Sequence, residues 1–261
     1  MTVLLEGKTV IITGVGGGLG RECVVRALRE GANVVVAART QDTLDALAKE
    51  LDPEGQRLAT RATDITDPEA CEALVVHATE RFGSVDALVQ VAAFEYVFGG
   101  LHETDLETWR QAFETNVLGA MTVLRPVAKA MEAGDGGSIV LIGSQSMFKP
   151  SLPQAGYAAS KGALLTTMYY LADELGAHDI RCNMVVPSWM WGPAVQMYVG
   201  MQADSKGVGH DEVVQEIVGD FPLGRMTEDG EVADVVMFFA SDLSKAVTGQ
   251  HLMVNSGELM R

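Results

Sequence analysis

The sequence predicts an α/β chain: a doubly wound parallel sheet of about seven strands with helices on both faces, in a single domain over residues 1–261. Two observations carry this. Short β-branched runs alternate with longer helical patterns, and no linker, repeat or low-complexity tract interrupts the rhythm. The 261 residues, 48% of them hydrophobic, are enough to bury one large core. The first run, KTVIITG, leads into a helix from about Leu19. NVVVAAR precedes a helix over LDALAKEL, and RLATRATD precedes one over PEACEALVVHATERFG. Next come DALVQVA, a helix around LETWRQAFETNVLGAMTVLRPVAKAME, SIVLIGS, a helix around YAASKGALLTTMYYLADELG, and IRCNMVVP. A helix near Val232 to Ala240 and the strand HLMVN close the series. The stretch from Trp189 to Met226 breaks the pattern with Gly, Pro, Met and Trp. It reads as an irregular, inserted substrate lid over about 189–226, because long irregular segments in compact domains are often functional.

The composition excludes several classes of function. A net charge of -16 leaves no clustered Lys and Arg for nucleic acid or an anionic membrane, so the acidity reads as solubility. Cys23, Cys71 and Cys182 are odd in number, far apart and without CxxC spacing, which suggests neither a disulfide framework nor a metal site. MTVLLEGKTVIITG runs into a strand without signal-peptide regions, and no apolar run reaches membrane-spanning length. A soluble, cytoplasmic protein is the expectation.

Directly after the first strand comes TGVGGGLG. Gly14, Gly18 and Gly20 allow backbone to approach a pyrophosphate, while the following helix N-terminus supplies N–H donors and positive dipole. A plain strand-to-helix turn is the bland alternative. The second strand ends Ala37-Ala38-Arg39-Thr40, without the carboxylate that would hold the ribose 2′-hydroxyl of NAD. Arg39 therefore points to NADP, with NAD possible: its guanidinium can grip a 2′-phosphate or stack on adenine, unless it is simply a solvated strand-end Arg. Asp64 ends the third strand on the carboxyl edge, where an adenine amino group could reach it, whereas nearby Asp67 reads equally well as a helix cap.

Tyr157 and Lys161 are four apart on one predicted helix and so share a face. A nearby ammonium favours a phenolate, which would bring Tyr157 towards the range where general acid/base catalysis works. A surface Tyr/Lys pair is the competing reading. Ser144 sits at the carboxyl end of SIVLIGS, the edge where ligands bind in open α/β sheets, and its hydroxyl could polarise a carbonyl. Asn116 lies within a helix, where it could bridge water or backbone groups.

TGVGGGLG, Asn116, Ser144 and YAASK, in that order across nearly the whole chain, resemble the short-chain dehydrogenase/reductase family. The resemblance implies a Rossmann-type fold, hydride transfer to or from NAD(P), and a homotetramer or homodimer. It makes Tyr157 the general acid/base, Lys161 the ribose anchor that lowers the Tyr pKa, Ser144 the residue orienting the substrate oxygen, and Asn116 the support of a water relay. It places the cofactor along Thr13, Gly14, Gly18, Leu19, Gly20 and Arg39. Further along the chain, the same cofactor would meet Asp64, Ile65, Ala92, Tyr157, Lys161 and Pro187. Three departures stand out. Gln90-Val91-Ala92-Ala93 replaces NNAG, so Val91 cannot make amide hydrogen bonds. Pro187-Ser188 replaces PG, and Gly192 aligns with the Thr that meets the nicotinamide carboxamide.

Large apolar groups cluster where the substrate would lie: Phe94, Tyr96 and Phe98, then Met147 and Phe148, then Trp189, Met190, Met197 and Tyr198. They suggest a bulky hydrophobic or aromatic small-molecule substrate, with Gln145 as the polar contact and about half of the apolar set belonging to core or interface. The expected function is interconversion of such a ketone and its secondary alcohol. Reduction of a cyclic imine by the same hydride geometry is the close variant, and a non-catalytic NAD(P)-binding sensor or scaffold is the alternative of another class.

Overall fold

The computed structural model describes residues 3–260. Met1, Thr2 and Arg261, which belong to the opening MTVLLEGK stretch and to the expected 1–261 domain, lie outside the described residues. Seven parallel strands form one sheet in the order β3-β2-β1-β4-β5-β6-β7. These are β1 (Thr9–Thr13), β2 (Asn33–Ala38), β3 (Leu58–Ala62), β4 (Ala87–Gln90), β5 (Gly137–Ile142), β6 (Ile180–Pro187) and β7 (His251–Val254). The strand order reverses between β1 and β4, and such a switch point opens a crevice at the carboxyl edge.

Period-two alternation assigns each strand side chain to one face. Ile11, Val35, Leu88, Ile139 and Leu141 face α3 (Pro68–Phe82), α5 (Ala120–Glu132) and α6 (Ala155–Leu175). Val10, Ile12, Val34, Val36, Val89 and Val140 face α1 (Leu19–Arg29), α2 (Gln41–Leu51) and α9 (Asp229–Ala240). Because both of their faces are covered, inner strands such as β1, β2 and β6 read as largely apolar runs, and each fully buried side chain stabilises the fold by about 1.5–3 kcal/mol.

Two expectations change. The long helix around Asn116 is not uniform: α4 (Leu106–Phe113) passes through a π-helical turn, Glu114–Gly119, before α5. Such turns are frequent at functional sites. The lid is not irregular either. It folds as α7 (Pro193–Lys206) and α8 (His210–Val218), with its own small core of Val199, Ala203, Val213, Val218, Phe221 and Met226. Pro193 opens α7 at a position where its missing N–H costs nothing, and Gly207 ends it with φ 68°. Among the described residues, no helix is long and apolar enough to cross a membrane.

Candidate active site

The site forms where the loops after β1, β4, β5 and β6 meet the start of α6. At the nucleotide end, Gly14 has φ +69°, and a Cβ there would stand 2.3 Å from the Ala92 backbone nitrogen. Only glycine lets the β1 and β4 loops approach this closely. The altered Gln90-Val91-Ala92-Ala93 loop is closed by Gln90 itself. Thr13 Oγ1 donates to buried Gln90 Oε1 (2.5 Å), and Gln90 Nε2 donates to the Ala92 carbonyl (3.3 Å). Gln90 thus supplies amide bonds that Val91 cannot. Leu19 and Gly20 are buried in the first turn of α1, and no side chain caps that helix at Gly18. The open N-terminus and the close-packed glycine turn fit a dinucleotide phosphate. Pro187 is buried at the end of β6, and Ile65 packs on Gly119 of the π-helical turn.

Arg39 is exposed just past β2, and its charge helps to hold the Asp64 carboxyl below the usual carboxylate range. The main cause of that lowering is the pair of bonds Asp64 Oδ1 accepts from Thr66 N (2.9 Å) and Thr66 Oγ1 (2.8 Å). Asp67 caps α3, accepting from Glu69 N at 2.9 Å. An unforeseen group is Asp229 at the start of α9. A Cβ on Gly192 would lie 2.6 Å from its Oδ2, and one on Gly18 would lie 3.3 Å from it. Burial, then Glu22 and Glu228, push its carboxyl up.

At the chemical end, Ser144 Oγ accepts from Ser146 N (3.2 Å) and Ser146 Oγ (2.9 Å), leaving its own proton for the Tyr157 oxygen. Lys161, 2% exposed, donates from Nζ to the Ile142 carbonyl at 2.8 Å and lies 5.8 Å from the Tyr157 ring centroid. Burial pushes its ammonium down to about 8. Tyr157 differs from expectation. Burial first, and the Glu95 charge second, push the phenol above its ordinary value, while the Ser144 bond works the other way. In this geometry burial outweighs any lowering by Lys161, so the phenol holds its proton at neutral pH.

Asn116 is 1% exposed and its side chain is already engaged. Its Oδ1 accepts from Phe94 N (2.7 Å), and its Nδ2 donates to the Phe94 carbonyl (2.9 Å) and to Ser160 Oγ (2.9 Å). Ser160 in turn donates to the Tyr157 carbonyl (2.7 Å). Asn116 therefore staples the β4 loop to α6 directly beneath Tyr157. The spacing within YAASK was the available signal for Ser160, which stands three residues after Tyr157.

The apolar set divides. Phe94 and Tyr96 meet edge to face (6.0 Å), whereas Trp189 and Tyr198 make a tilted ring contact (5.4 Å). Tyr96, Phe98 and Met197 are 66%, 54% and 62% exposed and free to meet a ligand. Met147, Phe148 and Met190 instead pack against the sheet's two cores. Gln145, expected as the polar substrate contact, is held within the protein. It is buried, and its Oε1 accepts from Asn255 Nδ2 at 2.6 Å.

A family model described as enoyl-(acyl carrier protein) reductase matches residues 14–258. L-rhamnose 1-dehydrogenase (NAD(P)(+)) of Sphingomonas sp. (strain SKA58) is 30% identical, with 97% of each chain covered. Among solved structures, a variant of actinorhodin polyketide ketoreductase with NADPH superposes with a TM-score of 0.87 at 32% identity, covering 96% of each chain. NAD+-bound xylitol dehydrogenase gives a TM-score of 0.89 at 27% identity, covering 97% of this chain and 99% of that one.

Proposed function

The chain belongs to the short-chain dehydrogenase/reductase family, and from that premise we propose an NADP-preferring enzyme that interconverts a bulky hydrophobic or aromatic ketone and its secondary alcohol. One observation carries the reading: a half-buried Tyr157 phenol, bonded to Ser144 and one helical turn from buried Lys161, at the carboxyl edge of the sheet. A bound nicotinamide supplies or accepts the hydride. Ser144 orients the substrate oxygen, and Tyr157 gives that oxygen its proton as the carbonyl is reduced, or removes it when the alcohol is oxidised. Lys161 places a cation behind the phenol, which stabilises the phenolate left after proton transfer. Arg39 would hold the 2′-phosphate, and the turn from Thr13 to Gly20 the pyrophosphate. The paired rings Phe94–Tyr96 and Trp189–Tyr198 support an apolar substrate.

A hydroxylated ring is the second reading. Glu95 is exposed, its carboxylate makes no hydrogen bond among the described residues, and its charge acts on both Tyr157 and Lys161. It could accept from a substrate hydroxyl, in keeping with the sugar and polyol named in the relatives above. Self-association is supported by exposed Leu118 (55%) and Tyr170 (74%) and is read by light scattering.

The test is a panel of aryl ketones, small ketones, hydroxylated ring substrates and acyl thioesters, followed at the reduced-nicotinamide absorbance with NADPH and NADH. Turnover of bulky ketones supports the first reading. Preference for hydroxylated rings supports the second, and cofactor binding without any turnover favours a sensor.

A further inference from the structure

The turn after β7 touches three loops around the catalytic edge. Glu258 is the centre of it. Its carboxylate, 4% exposed, pairs with Lys149 Nζ at 3.1 Å and accepts from Ser188 Oγ. Lys149 ends the loop that begins at Ser144, and Ser188 follows Pro187 at the end of β6. Three residues earlier, Asn255 Nδ2 donates to Gln145 Oε1 (2.6 Å) and to the Leu259 carbonyl (2.8 Å), while its Oδ1 accepts from Gly257 N (3.1 Å). The Ser256 carbonyl accepts from Leu223 N (3.2 Å), which ties in the end of the lid. The turn is held under constraint: Ser256 has φ 53°, a conformation non-glycine residues rarely adopt, and its buried hydroxyl has no hydrogen-bond partner among the described residues.

Stability does not account for this arrangement. A carboxylate taken out of water and matched, among the described residues, by one flexible, half-exposed ammonium and one hydroxyl recovers little net free energy. Orientation does account for it, because the groups it holds sit one and five residues from Ser144 and one residue from Pro187. We infer that Glu258 is a positioning residue, and that with Asn255 it clasps the loops after β5 and β6 into the arrangement in which Ser144 and the lid meet the substrate. The inference rests on the oxidoreductase reading only for its kinetic consequence.

Amide hydrogen exchange of the ligand-free protein tests it without any substrate. In Glu258→Ala, amides of residues 145–148 and 188–190 should exchange about 10-fold faster, with β1 and β4 unchanged. With a substrate found by the panel, KM should rise about 10-fold, against a smaller fall in kcat and an unchanged NADPH affinity. Glu258→Gln should return to within about 3-fold of wild type, since its amide oxygen still accepts from Ser188. Wild-type exchange in both loops overturns the inference. Should Glu258→Ala fail to fold, Ser188→Ala and Lys149→Met each open one arm from the partner's side, and wild-type exchange in both of these overturns it equally. If the wild type turns over nothing in the panel, the functional reading fails while the exchange result still decides the clasp.

Discussion

Replacing Asn116 with Ala separates a structural staple from a proton relay. The substitution deletes three hydrogen bonds at a residue 1% exposed: two with the Phe94 backbone and one with Ser160. At about 1 kcal/mol net each, and more where a buried partner is left unsatisfied, the loss is about 3 kcal/mol. Phe94 is half-buried, so water can re-solvate part of its backbone and keeps the figure from growing much larger. In a chain of this size that loss lowers Tm by about 6–12 °C. Thermal unfolding followed by circular dichroism reads it, with turnover per folded enzyme measured well below the transition. A Tm within about 2 °C of wild type with turnover abolished would refute the staple and restore the relay.

Other perturbations read the remaining parts of the site. Lys161 is held down at about 8 by burial, so below that pH the folded chain carries a desolvated ammonium. From there up to its ordinary value, the folded chain has lost a proton that the unfolded chain keeps, and stability rises with pH. Lys161→Met should therefore be inactive yet more stable than wild type at about pH 7, with the gap narrowing by about pH 9.5. An unchanged gap between melts at the two pH values contradicts this. Arg39→Ala should cut kcat/KM for NADPH by about 10- to 100-fold and leave NADH within about 3-fold, and an unchanged preference removes Arg39 from the cofactor site. Asp229→Asn removes a carboxylate from beside the glycine turn and should tighten NADPH binding about 2- to 5-fold by titration calorimetry. Weaker binding would mean that Asp229 helps to hold the cofactor.

The inner strands were legible because they are covered on both faces. Ile180–Pro187 and Asn33–Ala38 stand where their apolar runs put them, and the switch point follows from their order. The lid helices were hidden because α7 buries only Val199 and Ala203, one short contact line among Gly, Met and Gln rather than a continuous apolar stripe. Tyr157 and Lys161 were legible as a helical pair, but the balance of burial against charge that sets their proton affinities is a three-dimensional property. Gln145 looked available because its partner, Asn255, stands 110 residues away. A separation of 109 residues from Lys149 concealed Glu258, and Gln90 was read as a departure from NNAG although its amide bonds to Thr13 and to the Ala92 carbonyl.

In the proposed ketone reduction Tyr157 moves the proton. Tyr157→Phe keeps the ring beside Lys161 and removes only the hydroxyl, and its kcat with NADPH and the best ketone of the panel tests that role directly. The expected result is a loss of at least about 100-fold, with NADPH affinity unchanged. Turnover retained within about 3-fold of wild type would contradict it.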